Sequence, residues 1–138
     1  MEISIMSKHT GSCLCGKVTF EIEGDLESFY LCHCQHCQKD TGSAFAANIF
    51  SQSAKLRWLT GEDCITSFTL EGTRHNKSFC KVCGSALPNT LTQNLLVVPA
   101  GSLDTTISVE PTAHLFTSSK ADWEKDLDKI AAFKSLPS

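Results

Sequence analysis

The chain has 138 residues, long enough to bury a hydrophobic core as a single domain spanning 1–138. It is 41% hydrophobic and 20% charged, with a formal net charge of −3 and a pI near 5.9. Such a composition suits a soluble globular protein and argues against binding along a phosphate backbone. The longest apolar runs, such as Leu95 to Ala100, are too short to cross a bilayer. Neither nucleic acid nor a membrane is therefore an expected partner.

In chain order, the opening Met1 to Thr10 carries charge and has no continuous apolar run. A secretory leader is not expected there, and a reducing cytoplasm is. Val18, Phe20 and Ile22 alternate with Thr19, Glu21 and Glu23, the period-2 pattern of a half-buried strand, which Gly24-Asp25 ends. Ser28 to Leu31 is a short aromatic run, and Ser43 to Phe50 is an apolar strand candidate. Lys55 to Leu59 and Ile65 to Leu70 read as strands separated by the turn Thr60-Gly61-Glu62-Asp63. His75 to Phe79 and Leu95 to Val98 complete the set, the last closed by Pro99 and Gly101. The period then changes. Trp123, Leu127, Ile130 and Phe133 recur at helical spacing, and Ser119 with Asp122 offers a capping start. This predicts a short C-terminal helix covering the core, with Trp123 as a buried anchor.

Seven of the eight cysteines fall into tight clusters. Cys13 and Cys15 form C-x-C, Cys32, Cys34 and Cys37 form C-x-C-x-x-C, and Cys80 and Cys83 form C-x-x-C. A disulfide framework is the competing reading. Residues two apart are poorly placed to bridge each other, whereas thiolates converging on one metal suit short spacings. Metal is the reading adopted, with two zinc ions per chain.

The two outer pairs together offer four thiolates, which saturate a structural zinc. Their pairing across the sequence is an inference. It is supported by Gly16 and Gly84, each directly after a pair and able to adopt positive φ. The triplet Cys32, Cys34 and Cys37 supplies three thiolates and leaves a position open, as catalytic zinc sites do. Three thiolates on a dication make a poor hydroxide generator but a good host for a soft ligand that comes and goes. The chemistry to expect is attack by a small thiol on a carbonyl, at a zinc held more weakly than the structural one. His33 and His36 lie inside the triplet, and either completes a closed site or points away from the metal. Cys64 stands alone and reads as a small buried hydrophobe, the alternative being a redox-active thiol.

The residues then match a family. Gly11-Ser12-Cys13-Leu14-Cys15-Gly16-Lys17-Val18 resembles the start of the glutathione-dependent formaldehyde-activating enzyme family, which includes centromere protein V. Cys32-His33-Cys34-Gln35-His36-Cys37 with Thr41-Gly42-Ser43-Ala44-Phe45 resembles its central motif, and Phe79-Cys80-Lys81-Val82-Cys83-Gly84-Ser85 its third. Pro99 to Asp104, His114-Leu115-Phe116 and Ser119 to Trp123 also fit.

The resemblance implies a mainly-β, tent-like fold of antiparallel sheets around the structural zinc. It implies a carbon–sulfur lyase joining glutathione reversibly to formaldehyde. Carried over to this sequence, the structural ligands are Cys13, Cys15, Cys80 and Cys83, and the catalytic ones Cys32, Cys34 and Cys37. One departure stands out: members often carry Arg directly after the third triplet cysteine, and here Gln38 and Lys39 follow. Arg clasps a carboxylate bidentately and Lys does not replace it. Two other functions remain open: a non-enzymatic zinc module that binds a protein, and a redox enzyme of the methionine-sulfoxide-reductase type, which would need Cys64. The sequence leaves open the roles of His33, His36 and His114.

Overall fold

The structure is a computed structural model that describes residues 7–137. The leader reading of the first residues therefore falls largely outside the described chain. Between residues 8 and 115 the chain forms eleven strands in three sheets.

The first sheet holds β1 (Lys8–Ser12), β2 (Thr19–Glu23) and β5 (Lys55–Thr60), all antiparallel, in the order β1-β2-β5. The alternation read in β2 has a physical outcome: Phe20 and Ile22 are fully buried. Glu21 faces the other way but is not left in open water. It lies 3.0 Å from Lys8 Nζ and 3.0 Å from Arg57 Nη2 on the flanking strands. Trp58 on β5 meets the Phe20 ring edge-on at 5.7 Å.

The central sheet runs β11 (Ala113–Leu115), β3 (Ser28–Cys32), β4 (Ala46–Ser51), β10 (Leu96–Pro99) and β9 (Asn89–Thr90). Only the β11–β3 pair is parallel. Between β3 and β4 the chain makes its α-helix, α1 (Gln35–Thr41). The third sheet is β6 (Ile65–Thr69), β7 (Asn76–Cys80) and β8 (Ala86–Leu87). The sheets share one core. Val18, Phe20 and Ile22 of the first meet Ile49, Leu96 and Val98 of the second and Leu87 of the third. Burying such a set supplies the main driving force for the fold.

The C-terminus departs from expectation. Residues 119–133 form no α-helix. Thr117–Ser119 and Leu127–Lys129 make short 3-10 turns instead. Phe116 and Asp126 adopt left-handed backbone, which interrupts any helical ladder. Trp123 is 62% exposed, so it is not the buried anchor, and Ile130 and Phe133 are exposed as well. The physical reason is that a helix of this length is marginal unless an apolar face is buried against something. Here the segment sends Glu124 inward and leaves the apolar positions outside. The helix sits at Gln35–Thr41 instead, where Cys34 caps it: its sulfur accepts from the Cys37 N–H at 3.3 Å.

Candidate metal centres and active site

Two hairpins bring the outer cysteine pairs together. Cys13 and Cys15 lie in the turn between β1 and β2, while Cys80 ends β7 and Cys83 lies in the turn from β7 to β8. The turns are built alike. The Cys13 N–H donates to the Val18 carbonyl and the Gly16 N–H to the Cys13 carbonyl. The Cys80 N–H donates to the Ser85 carbonyl and the Gly84 N–H to the Cys80 carbonyl. Both glycines take positive φ, 83° and 77°, as the sequence pattern suggested. Each turn thereby curls its sulfurs toward the other.

All four sulfurs lie within 4.8 Å of one another. Cys13 and Cys15 are 3.6 Å apart, and Cys15 and Cys80 3.9 Å. A tetrahedral ion with Zn–S bonds of about 2.3 Å spaces its sulfurs by about 3.8 Å, whereas a disulfide needs about 2.05 Å. The donor set fits a tetrahedral metal and does not fit a bridge. The Val18 N–H, 3.3 Å from Cys13 Sγ, adds a donor that favours the thiolate.

As acids, the four thiols compete. Burial opposes ionisation of Cys13, but the Val18 N–H and the thiols of Cys15 and Cys80 lower it overall. At Cys83 burial is likewise outweighed by the N–H groups of Cys15 and Ser85 and by neighbouring thiols, which bring it down to about 6. The Lys17 N–H favours ionisation of Cys15, yet burial and the three other thiols push it up to about 11. The cluster accepts negative charge at one sulfur at the expense of another, which is what a bound dication relieves.

The triplet lies in the connection from β3 through α1 to β4. Cys32 ends β3, Cys34 caps α1 and Cys37 sits one turn into it. Their sulfurs also lie within 4.8 Å of one another, and no imidazole or carboxylate joins them among the described residues. The three donors therefore fit a metal with a position left open. Burial raises Cys37 strongly, and the sulfurs of Cys32 and Cys34 raise it further. Burial also raises Cys32. At Cys34 it is overcome by the Cys37 N–H and the neighbouring thiols, which lower it.

The histidines inside the triplet separate cleanly. His36 is exposed and meets the His75 ring at 5.7 Å. His33 is fully buried and turned away from the sulfurs. Its Nε2 is 2.8 Å from His114 Nδ1, and its ring packs against Phe45. Its Nδ1 is 2.9 Å from Glu124 Oε1, a contact skewed from the N–H direction. Sequence reasoning missed Glu124. Its neighbour Trp123 drew attention, and nothing in local spacing marks which of two adjacent residues turns inward.

Gln38 is likewise not free for substrate. Its Nε2 donates to the His33 carbonyl at 2.7 Å and to the Ser119 carbonyl at 2.9 Å. Cys64 is half-buried and packs against the core. Beside α1, a cavity of about 250 Å³ is lined by His36, Lys39, Asp40, Phe68, Leu70, His75 and Lys77. Asp40 is occupied within it, 2.7 Å from His75 Nε2 and 2.9 Å from Lys77 Nζ.

A mainly-β scaffold with one cysteine cluster joining two sheets and a second in a strand–helix connection defines a class of cysteine-rich, metal-competent proteins. Residues 8–119 match the model of the glutathione-dependent formaldehyde-activating enzyme family, and the chain belongs to that family. Its fold is similar to that in a crystal structure of a Rhodobacter sphaeroides protein, with a TM-score of 0.56 and 21% identity over 76% of this chain and 98% of that one. No helix among the described residues is long and apolar enough to cross a membrane.

Proposed function

We propose that the chain, acting as one domain over 1–138, is a zinc-dependent carbon–sulfur lyase that reversibly joins a small thiol to formaldehyde or a related carbonyl. Cys13, Cys15, Cys80 and Cys83 would hold a structural zinc, and Cys32, Cys34 and Cys37 a second one at which the chemistry occurs. The observation that carries this reading is the contrast between the clusters: four sulfurs in one, three and no further donor in the other.

Zinc in the triplet would supply Lewis acidity that keeps a substrate thiol deprotonated near neutral pH. The chain's own residues set the rest. The three sulfurs and their backbone donors fix the site's geometry. Of the two lysines lining the cavity beside α1, Lys77 is paired with Asp40, which leaves Lys39 to meet an anionic substrate beside Phe68 and Leu70. That combination suits a thiol bearing carboxylates, glutathione among them. In the reaction the sulfur lone pair adds to the carbonyl carbon, and the carbonyl oxygen takes up a proton equivalent to the one the thiol lost. Nothing is oxidised or reduced. The redox reading has less support, because Cys64 lies against the core and leaves the triplet without a purpose.

The test has two stages. Cobalt-substituted protein should gain sulfur-to-metal absorption when a small thiol is added, and Cys34→Ser should abolish the gain. With glutathione, formaldehyde capture should exceed the spontaneous rate. A spectrum indifferent to every small thiol rules out the thiol chemistry. Thiol binding without faster capture rules out formaldehyde alone.

A further inference from the structure

The geometry points to Glu124 and His33 as positioning residues that clamp the C-terminal segment onto the loop carrying the triplet, holding Cys32 and Cys34 in metal-binding register. This rests on the triplet being a metal site.

His33 follows directly on β3, so the alternation of a strand carries through to it. Successive side chains point to opposite faces. The Cys32 sulfur turns to the triplet, while Leu31 and His33 turn the other way. His33 extends the ladder past the end of β3, its N–H donating to the Leu115 carbonyl at 2.9 Å. It therefore lies between Cys32 and Cys34 in the chain without offering the metal a ligand atom.

Three of the four polar groups of His33 have hydrogen-bond partners. Its N–H is tied to β11, and its carbonyl accepts from Gln38. One ring nitrogen meets His114, and the other lies against Glu124. The last is a 2.9 Å ion-pair contact without hydrogen-bond geometry, between two buried atoms that have no hydrogen-bond partner. Glu124 is only 8% exposed, and its second oxygen has Lys120 Nζ at 3.8 Å. A buried carboxylate and a buried imidazole facing each other are costly unless kept together. The same Gln38 amide that holds the His33 carbonyl also holds Ser119. Two separate ties thus join residues 119 and 124 to the peptide between Cys32 and Cys34. Neither tie touches a sulfur. Their effect on the site is to limit where the loop can go.

Groups that orient a metal loop from outside the donor set alter metal affinity by about 10- to 100-fold when removed. The probe is cobalt(II), titrated into protein already carrying one equivalent of zinc. Glu124→Ala should weaken cobalt binding by about 10-fold or more and broaden its absorption, leaving affinity for the first zinc unchanged. Glu124→Gln, which keeps the shape and the oxygen facing His33, should stay within a few-fold of the parent. Unchanged cobalt affinity in Glu124→Ala overturns the inference, as does equal weakening at both sites. So does a Glu124→Gln variant as weak as Glu124→Ala. If Glu124→Ala fails to fold, Gln38→Ala cuts the other tie and must weaken cobalt in the same sense. Unchanged affinity there overturns the clamp. A parent chain that takes up only one metal sinks the reading on which the clamp rests, so the two failures are read from different arms.

Discussion

The sulfur of Cys15 lies 3.9 Å from that of Cys80, although 65 residues separate them in the chain. Cys15 lies in a turn of the first sheet and Cys80 ends β7 of the third, so whatever binds both ties the two sheets together. Closing a loop of that length restricts the unfolded chain as a cross-link does.

Cys80→Ser should therefore remove one metal equivalent and lower the melting temperature sharply. Losing about 3 kcal/mol of metal-coupled stability corresponds to roughly 10 °C for a chain of this size. Metal analysis and a thermal melt check this together. Unchanged values in both would mean that the outer cluster is not a metal site.

Cys64→Ala should retain both metals and near-parental activity. Its backbone carbonyl accepts from the Lys81 N–H at 2.8 Å, a bond that survives the substitution, and only part of one thiol leaves the core. Lost turnover in a folded variant with both metals present would revive the redox reading.

Glu21 carries an acid-side prediction. The Lys8 and Arg57 side chains hold its carboxyl below the usual range. A group depressed in the folded state contributes stability above its unfolded pKa of about 4.3, and that contribution is lost as pH falls through the lower folded value. Glu21→Gln should melt lower at pH 7, by a few degrees at most because both cations are largely solvated. The two proteins should converge as pH falls below that lower folded value. A constant offset across the acid range would mean that the carboxylate's charge is not the cause.

Phe133→Ser should leave the melting temperature within a degree or two, because its side chain is already exposed and substitutions at such positions cost little. A fall of 10 °C, of the order expected for a residue packed in the core, would mean that the C-terminal apolar positions are covered in solution.

The sequence was sufficient for features whose cause is local. Alternation in β2 buries Phe20 and Ile22 because period-2 patterning needs only the strand's own geometry. Gly16 and Gly84 mark their turns because positive φ is a property of the residue itself. The division of cysteines into two pairs and a triplet likewise foreshadowed two sulfur clusters, since short spacing already confines the thiols. The tertiary structure decided what depends on partners distant in sequence. Helical spacing from Trp123 to Phe133 did not yield a helix, because amphipathic periodicity forms one only where a face exists to bury it. α1 formed instead at Gln35–Thr41, started by a sulfur cap that no hydrophobic pattern reveals. Gln38 read as a missing substrate clasp and proved to be an internal tie, and Glu124, which no local pattern marks, proved to be buried against His33. The outcomes at Gln38 and Glu124 rest on partners more than eighty residues away, through burial and contacts that no local window contains.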